Sequence, residues 1–270
     1  MRFSNYHQHT TFSDGKATIG QTVAHAVELG FEAIGISDHS FTPFDTTYCM
    51  KKEREEEYLN EIARVKEQFA GKIEVYAGLE ADYFSDVDEK KYDYLIASVH
   101  YLYGNGEYHA IDHTKEQNAR YLYEVCGGSK ERYAENYYYA VTDNVKKRRP
   151  QIVGHFDVIT KFGLFDEFSD DGKKYRAIAV EALNEALKVT PVIEVNTGGI
   201  ARGFRSTPYP APFLLKEILR RGGEVVLSSD AHALSTMDAK FKESADLLSS
   251  LGFKYVARWR GKEFTHVKID

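Results

Sequence analysis

The run Val225–His232, VVLSSDAH, passes from an apolar, β-branched stretch directly into a serine pair, an aspartate and a histidine. A strand with no polar alternation is covered on both faces, as strands of parallel sheets are. The residues closing it are of the types that bind divalent metals. The same arrangement recurs outward along the chain. YHQHTTFSDG (Tyr6–Gly15), ISDH (Ile36–His39), GLEADY (Gly78–Tyr83), SVHYL (Ser98–Leu102) and GHFD (Gly154–Asp157) each place histidine or carboxylate at the end of a short apolar run. Six of the ten histidines fall in these segments, from one end of the chain to the other. Such spacing points to one site gathered from many strand ends.

The intervening segments support that reading. Strands are expected at Phe3–His9, Ala33–Ser37, Ile73–Leu79, Tyr94–Val99, Ile152–His155, Val192–Val195 and Val225–Ser228. Ile19–Leu29 sets Ile19, Val23, Ala26 and Val27 at helical spacing, and Glu53–Phe69 aligns Leu59, Ile62, Val65 and Phe69 on one face. Further helices are expected over Lys174–Lys188, Pro212–Arg221 and Asp238–Leu251, with Gly222–Gly223 and Gly252 as stops. About seven strand–helix units are visible, close to a barrel count. The ligand-type residues all fall at carboxyl ends of strands, which converge on one face in a parallel barrel. An open doubly wound sheet would instead place its site at one switch point. With no linker, repeat or low-complexity stretch, residues 1–270 read as one α/β domain, a closed or nearly closed barrel.

Composition limits the function classes. The formal net charge of −6 gives no reason to expect an extended nucleic-acid surface, although a local basic pocket is compatible with it. No apolar stretch is long enough to span a bilayer. Cys49 and Cys126 match no metal or redox spacing and read as reduced thiols. A cleaved leader would remove His7 and His9. The expectation is a soluble, cytoplasmic protein.

An HxH alone is more often a pair of strand-end histidines than a metal site. Joined to DH, Glu80 and DAH on one barrel face, it reads as metal binding. The opening HxHTxxSDG (His7 to Gly15), the DH pair, the glutamate of GLEADY, the histidines of SVH and GHFD and the final DAH together resemble the polymerase-and-histidinol-phosphatase (PHP) family of phosphoesterases. The likeness follows the expected order over nearly the whole chain. GHFDVITKFG, EVNTGGIARG and the long segment between SVHYL and GHFD are similar, within that family, to members acting on L-histidinol phosphate.

The resemblance implies a distorted, TIM-like (β/α)7 barrel with two or three divalent metals, zinc, iron or manganese. By position, His7, His9, Glu80 and Asp230 would hold the first metal, with Glu80 bridging to a second held by His100 and His155. His39 and His232 would hold a third. Where some members supply another histidine to that third site, Asp14 stands here. The activity implied is hydrolysis of a small phosphate ester, L-histidinol phosphate, in histidine biosynthesis. The oligomeric state is left open.

The chemistry follows from the residue types. Metals about 3.5–4 Å apart can share a bridging hydroxide and clamp phosphoryl oxygens, lowering the pKa of bound water to roughly 7 in favourable cases. The leaving alkoxide needs a proton or a metal. Asp230 and His232 flank one strand end and are the candidate relays, Asp230 preferred because a ligated histidine carries protons poorly. Glu80 is catalytic through the metals it joins. Arg202, Lys161 and then Arg205 are candidate phosphate binders, each alternatively a surface cation. His109, Asp112 and His113, in the loop Gly104–Lys115, are candidates for contacting the imidazole or ammonium of a substrate.

Other features read as structural. Asp38 suits a carboxylate that orients a ligand, or simply a strand end. His155 alone could be a core histidine, and His25 and His266 carry no site signal. KKEREEE (Lys51–Glu57) forms a solvated helix face. Tyr133 and Tyr137 to Tyr139 sit at helical spacing and read as packing residues. Two rivals remain: another PHP phosphoesterase acting on nucleotides or nucleic-acid ends, and a noncatalytic metal-stabilised binding protein.

Overall fold

Strands apolar on both faces need helices outside and a filled interior, and the chain supplies both. The structure is a computed structural model describing residues 2–165 and 170–269. Strands β1 (Ser4–Asn5), β2 (Ala33–Ile36), β3 (Glu74–Asp82) and β4 (Tyr94–Ser98) pair in chain order. An antiparallel hairpin, β5 (Tyr101–Gly104) and β6 (Glu107–Ala110), then leaves the sheet, which continues as β7 (Ile152–Val153), β8 (Val192–Asn196) and β9 (Glu224–Ser228). All seven sheet strands are parallel. A bridge between Gln8 and Ala231 brings the first strand back to the last. Asn5 Nδ2 and Gln8 Nε2 both donate to Ser229 Oγ, at 2.7 and 2.8 Å. Side chains thus complete the ring where the ladder runs out, giving the expected barrel in nearly closed form.

Helices α1 (Ile19–Glu28), α2 (Glu55–Gln68), α3 (Lys115–Arg120), α4 (Lys130–Arg148), α5 (Asp170–Leu187), α6 (Gly198–Ala201), α7 (Pro212–Arg220) and α8 (Phe241–Leu251) occupy the connections. Thr18 and Gln21 form a reciprocal capping box at the start of α1, and Gly252, with φ of 106°, stops α8. Tyr133, Tyr137 and Tyr138 of α4 are buried in the outer core, as packing residues. No helix among the described residues is long and apolar enough to cross a membrane.

The strand period of two divides the side chains. Ile34, Ile36, Val75, Leu79, Leu95, Val153, Ile193, Val225 and Leu227 face the helices. Tyr6, Ala33, Tyr94, Ile96, Ile152, Val192 and Val226 form a second cluster with Trp259, carried by the terminal hairpin β10 (Tyr255–Trp259) and β11 (Phe264–Lys268). That cluster fills the barrel and the hairpin plugs its amino end. Further along the same inward rows the residues become Glu80, Glu194 and Ser228. The interior is therefore oily at the bottom and charged at the top.

A single tyrosine sets the spacing between these layers. Tyr94 crosses the barrel and donates its hydroxyl to the Tyr6 carbonyl at 2.5 Å. Gly35 and Gly78 make room for its ring, since a Cβ on Gly78 would stand 2.2 Å from Tyr94 Cζ. Gly78→Ala is expected to destabilise the fold by about 1–3 kcal/mol, the usual cost of overpacking. Urea unfolding would show it as a lower midpoint, and an unchanged midpoint would mean that the ring can yield.

Several expected boundaries move. Strand β3 runs on to Asp82 because Gly78 through Asp82 pair with β4, so Glu80 lies within a strand and points into the barrel. The first strand is shorter than Phe3–His9, since past Asn5 only Gln8 bridges. The segment Gly104–Lys115 is largely a hairpin rather than a loop. Asn105 and Gly106 both have positive φ, 51° and 87°, the requirement of the tight two-residue turn for which Asn-Gly is suited.

Candidate functional site

The charged top of the barrel centres on the fully buried Glu80. Its Oε1 lies 2.9 Å from His155 Nε2 and 3.2 Å from His100 Nε2. Its Oε2 lies 2.7 Å from His39 Nδ1, 3.2 Å from His7 Nε2 and 3.6 Å from His9 Nε2. Five imidazoles from four strand ends thus face one carboxylate. Asp230 stands opposite, its Oδ1 3.1 Å from His9 Nε2, 3.8 Å from His7 Nε2 and 3.7 Å from His232 Nδ1. Asp14 joins at the mouth, 3.3 Å from His232 Nε2 and 3.8 Å from His39 Nε2. All nine expected ligand residues therefore meet in one place.

These donors fall into overlapping groups whose atoms lie within 4.8 Å of one another: His7, His9 and Asp230; His39, Glu80 and His100; and His9, Asp14, His39 and His232. Sequence resemblance put His9 only in the first group and His39 only in the third. The fold gives each a second neighbourhood, because the His9 and His39 rings stack with centroids 4.2 Å apart.

The donor set fits divalent metal ions. His7 Nε2, His9 Nδ1, His155 Nδ1 and Glu80 Oε2 are buried without a hydrogen-bond partner, an expensive arrangement for a protein interior. Burial, reinforced by His232 and His39, pushes the His9 ring down to about 3, keeping it neutral with a lone pair to offer. Burial opposes the charged form of Glu80, yet His7, His100 and His39 outweigh it and hold the carboxyl well below its ordinary range. Asp230 behaves likewise: burial is overcome by Arg202, His7 and His9. Its carboxylate form is therefore favoured, which suits a ligand.

A further layer fixes these side chains. Glu194, buried on β8, accepts from His7 Nδ1 at 2.6 Å and from the His155 amide at 2.7 Å. This selects the His7 tautomer whose Nε2 lone pair faces Glu80, as carboxylate partners of metal-site histidines do. Asp82 does the same for His100, 3.2 Å from Nδ1. Sequence reasoning passed over Glu194. The signal was present, since a glutamate inside the apolar run VIEVN must be paired if buried. The Asp38 carboxylate is paired with the Thr10–Ser13 loop rather than with a histidine ring. It accepts from the amides and hydroxyls of Thr10 and Ser13 and so shapes the loop that presents Asp14. Asp230 has a φ of 52°, a left-handed conformation that aspartate tolerates and that turns its carboxylate inward.

Above the cluster lies a cavity of about 350 Å3, lined among others by Asp14, His232, Arg202, Lys161, Asp112 and His113. Arg202 donates to Asp230 Oδ2 at 3.0 Å and to the Asp230 carbonyl at 3.1 Å. Lys161 bonds the Asp112 carbonyl and sits 3.6 Å from its carboxylate. Arg205 and His109 do not reach this cavity. Arg205 turns to Thr160 and to the buried Asp157, stacking 4.4 Å over Tyr209. His109 is buried on the hairpin, its Nε2 3.2 Å from the Gly104 carbonyl. Glu107 and Glu124 near it are both paired with Arg120.

Comparison with known proteins places the chain in a family. The family model for the PHP domain matches residues 5–198. The chain is 28% identical over 259 residues to the probable histidinol-phosphatase of Deinococcus radiodurans, covering 91% of this chain and 89% of that protein. It is 25% identical over 254 residues to the histidinol-phosphatase of Bacillus subtilis, covering 86% and 94%. Among solved structures, the histidinol phosphate phosphatase of Lactococcus lactis, complexed with zinc, L-histidinol and phosphate, has the same fold. Its TM-score is 0.73 at 23% identity, covering 98% of this chain and 99% of that one.

Proposed function

The chain belongs to the PHP domain family, and on that footing we propose that it is a metal-dependent phosphomonoesterase hydrolysing L-histidinol phosphate to L-histidinol and inorganic phosphate. The observation carrying this is Glu80, a single buried carboxylate ringed by five imidazoles beneath a cavity lined by Arg202 and Lys161. The names of the relatives, and the product and ion bound in the Lactococcus structure, support the choice of substrate.

In this reading His7, His9, Glu80 and Asp230 would hold one divalent ion, and Glu80, His100 and His155 would hold a second. Asp14, His39 and His232 suit a third. Such ions supply positive charge to phosphoryl oxygens and make hydroxide available near neutral pH. The chain supplies the rest. Glu194 and Asp82 hold the His7 and His100 rings in register. Arg202 spends two N–H groups on Asp230 and keeps others for a phosphoryl oxygen, a planar donor set matched to that anion. Lys161 adds a second cation to the cavity lining. The cavity lies at the small end of the range of about 300–1,000 Å3 for ligand pockets, which suits a small monoester better than a polymer.

Phosphate release by metal-reconstituted protein tests the reading, with L-histidinol phosphate compared against p-nitrophenyl phosphate and nucleoside monophosphates. The expected preference in kcat/KM for histidinol phosphate is at least about 100-fold, as for sites that pair polar substrate groups. Comparable turnover of the other esters would remove the substrate and keep the phosphatase. Inactivity on every ester at full metal occupancy would favour a noncatalytic role.

A further inference from the structure

A phosphatase for an amino-alcohol ester must recognise a cation as well as an anion, and the walls that meet phosphate are themselves cationic. Among the described residues, three carboxylates line the cavity: Asp14, Asp112 and Asp230. Asp14 and Asp230 face histidines of the proposed metal centre. Asp112 forms no ion pair with a histidine of that centre, although His100 and His155 lie near enough to favour its charged form; its ion-pair partner is Lys161, with Nζ 3.6 Å from Oδ2. It is thus the lining carboxylate left over once the metal ligands are accounted for.

Its backbone is firmly placed. The neighbouring Ile111 amide donates to the His100 carbonyl at 2.9 Å, tying this wall to a proposed ligand. Asn118 Nδ2 donates to the Ile111 carbonyl at 2.6 Å. The Asp112 side chain is only 22% exposed, and the residue lines the cavity. Lys161, 11% exposed, is positioned over the rings of Phe204 and Phe162, at 5.1 and 5.6 Å, so it neutralises Asp112 from one side without covering it.

Resting on the substrate reading above, we propose that Asp112 is the specificity-determining carboxylate that receives the substrate's ammonium group. Lys161 balances its charge when the cavity is empty and faces the phosphoryl end when it is filled. An ammonium–carboxylate hydrogen bond in this partly dry setting discriminates against esters that lack the amine, because those leave Asp112 desolvated without a new partner.

The test compares L-histidinol phosphate with its deamino analogue, 3-(imidazol-4-yl)propyl phosphate, in the parent chain and in Asp112→Asn. The parent is expected to favour the amine-bearing ester by about 10- to 100-fold in kcat/KM, the range for hydrogen bonds to charged groups. Asp112→Asn is expected to collapse that ratio, mainly through KM, and to weaken binding of L-histidinol in calorimetry. An equal loss on both esters, or an undiminished ratio, would overturn the assignment. A parent that prefers the amine-free ester overturns it without any variant having to fold. Failure of the parent to act on histidinol phosphate, with good activity on other esters, would instead identify the substrate reading as the faulty step and remove the Asp112 role with it.

Discussion

A Glu80→Gln protein is expected to fold, to bind less metal and to release phosphate on the order of 1,000-fold more slowly than the parent. The substitution conserves volume and removes one charge. That charge lies between five imidazoles, and its two oxygens divide them, His100 and His155 on one side and His7, His9 and His39 on the other. A glutamine amide offers one oxygen acceptor and one nitrogen donor, so it can serve one half of the ring and must repel an ion from the other. A carboxylate is the only side chain of this length that accepts on both sides. Two ions at close range also need the negative charge between them to limit their repulsion. Steady-state phosphate release together with metal content per chain checks the result. Full metal content with parental turnover would take Glu80 out of the bridging role; low metal with intact turnover would show that a single ion suffices.

Much of this centre was visible before the fold because metal-binding side chains obey a local rule. They follow apolar runs at carboxyl ends, and seven parallel strands bring such ends together whatever the details of the helices. What escaped reading depends on non-local geometry. Nothing near Arg205 in sequence reveals that Asp157, buried behind the cavity, draws it away from the phosphate end. His109 was misplaced for a more local reason. The Asn105–Gly106 turn folds its segment into a hairpin, and period two then puts His109 on the inner face. Glu194 was hidden by its setting, since one acidic residue inside an apolar strand carries no motif. The pairing of Asp230 with Arg202 carried no local signal either, because Arg202 reaches it from a different strand end.

Removing divalent metal with a chelator is expected to abolish turnover and to lower the thermal midpoint by on the order of 10 °C, with both restored on reconstitution. The reasoning starts from charge. Glu80, Asp230 and Glu194 are buried within one cluster, and buried carboxylates require compensation. Without metal, Arg202 meets part of Asp230's charge and the rest of the compensation comes from protons on imidazole. Burial disfavours a charged His7, but Glu194, Glu80 and Asp230 prevail and raise its pKa well above the ordinary value. His100 follows the same course, burial being outweighed by Glu80 and Asp82. Protons neutralise the cluster less well than divalent ions, since they leave His7 Nε2, His9 Nδ1 and Glu80 Oε2 without hydrogen-bond partners. The sign of the pH effect follows. A histidine with a raised pKa keeps its proton until the pH passes that value, so acid favours the proton over the metal. Reconstitution should therefore weaken as pH falls, and metal uptake near neutrality should expel protons. Calorimetric titration of the metal-free chain in two buffers of different ionisation enthalpy measures that release directly. Uptake without proton release would mean that the imidazoles are already neutral and that the charge of the empty cluster is balanced elsewhere. A midpoint insensitive to the chelator would mean that the barrel supports its buried carboxylates without metal, leaving the ions a role in catalysis alone.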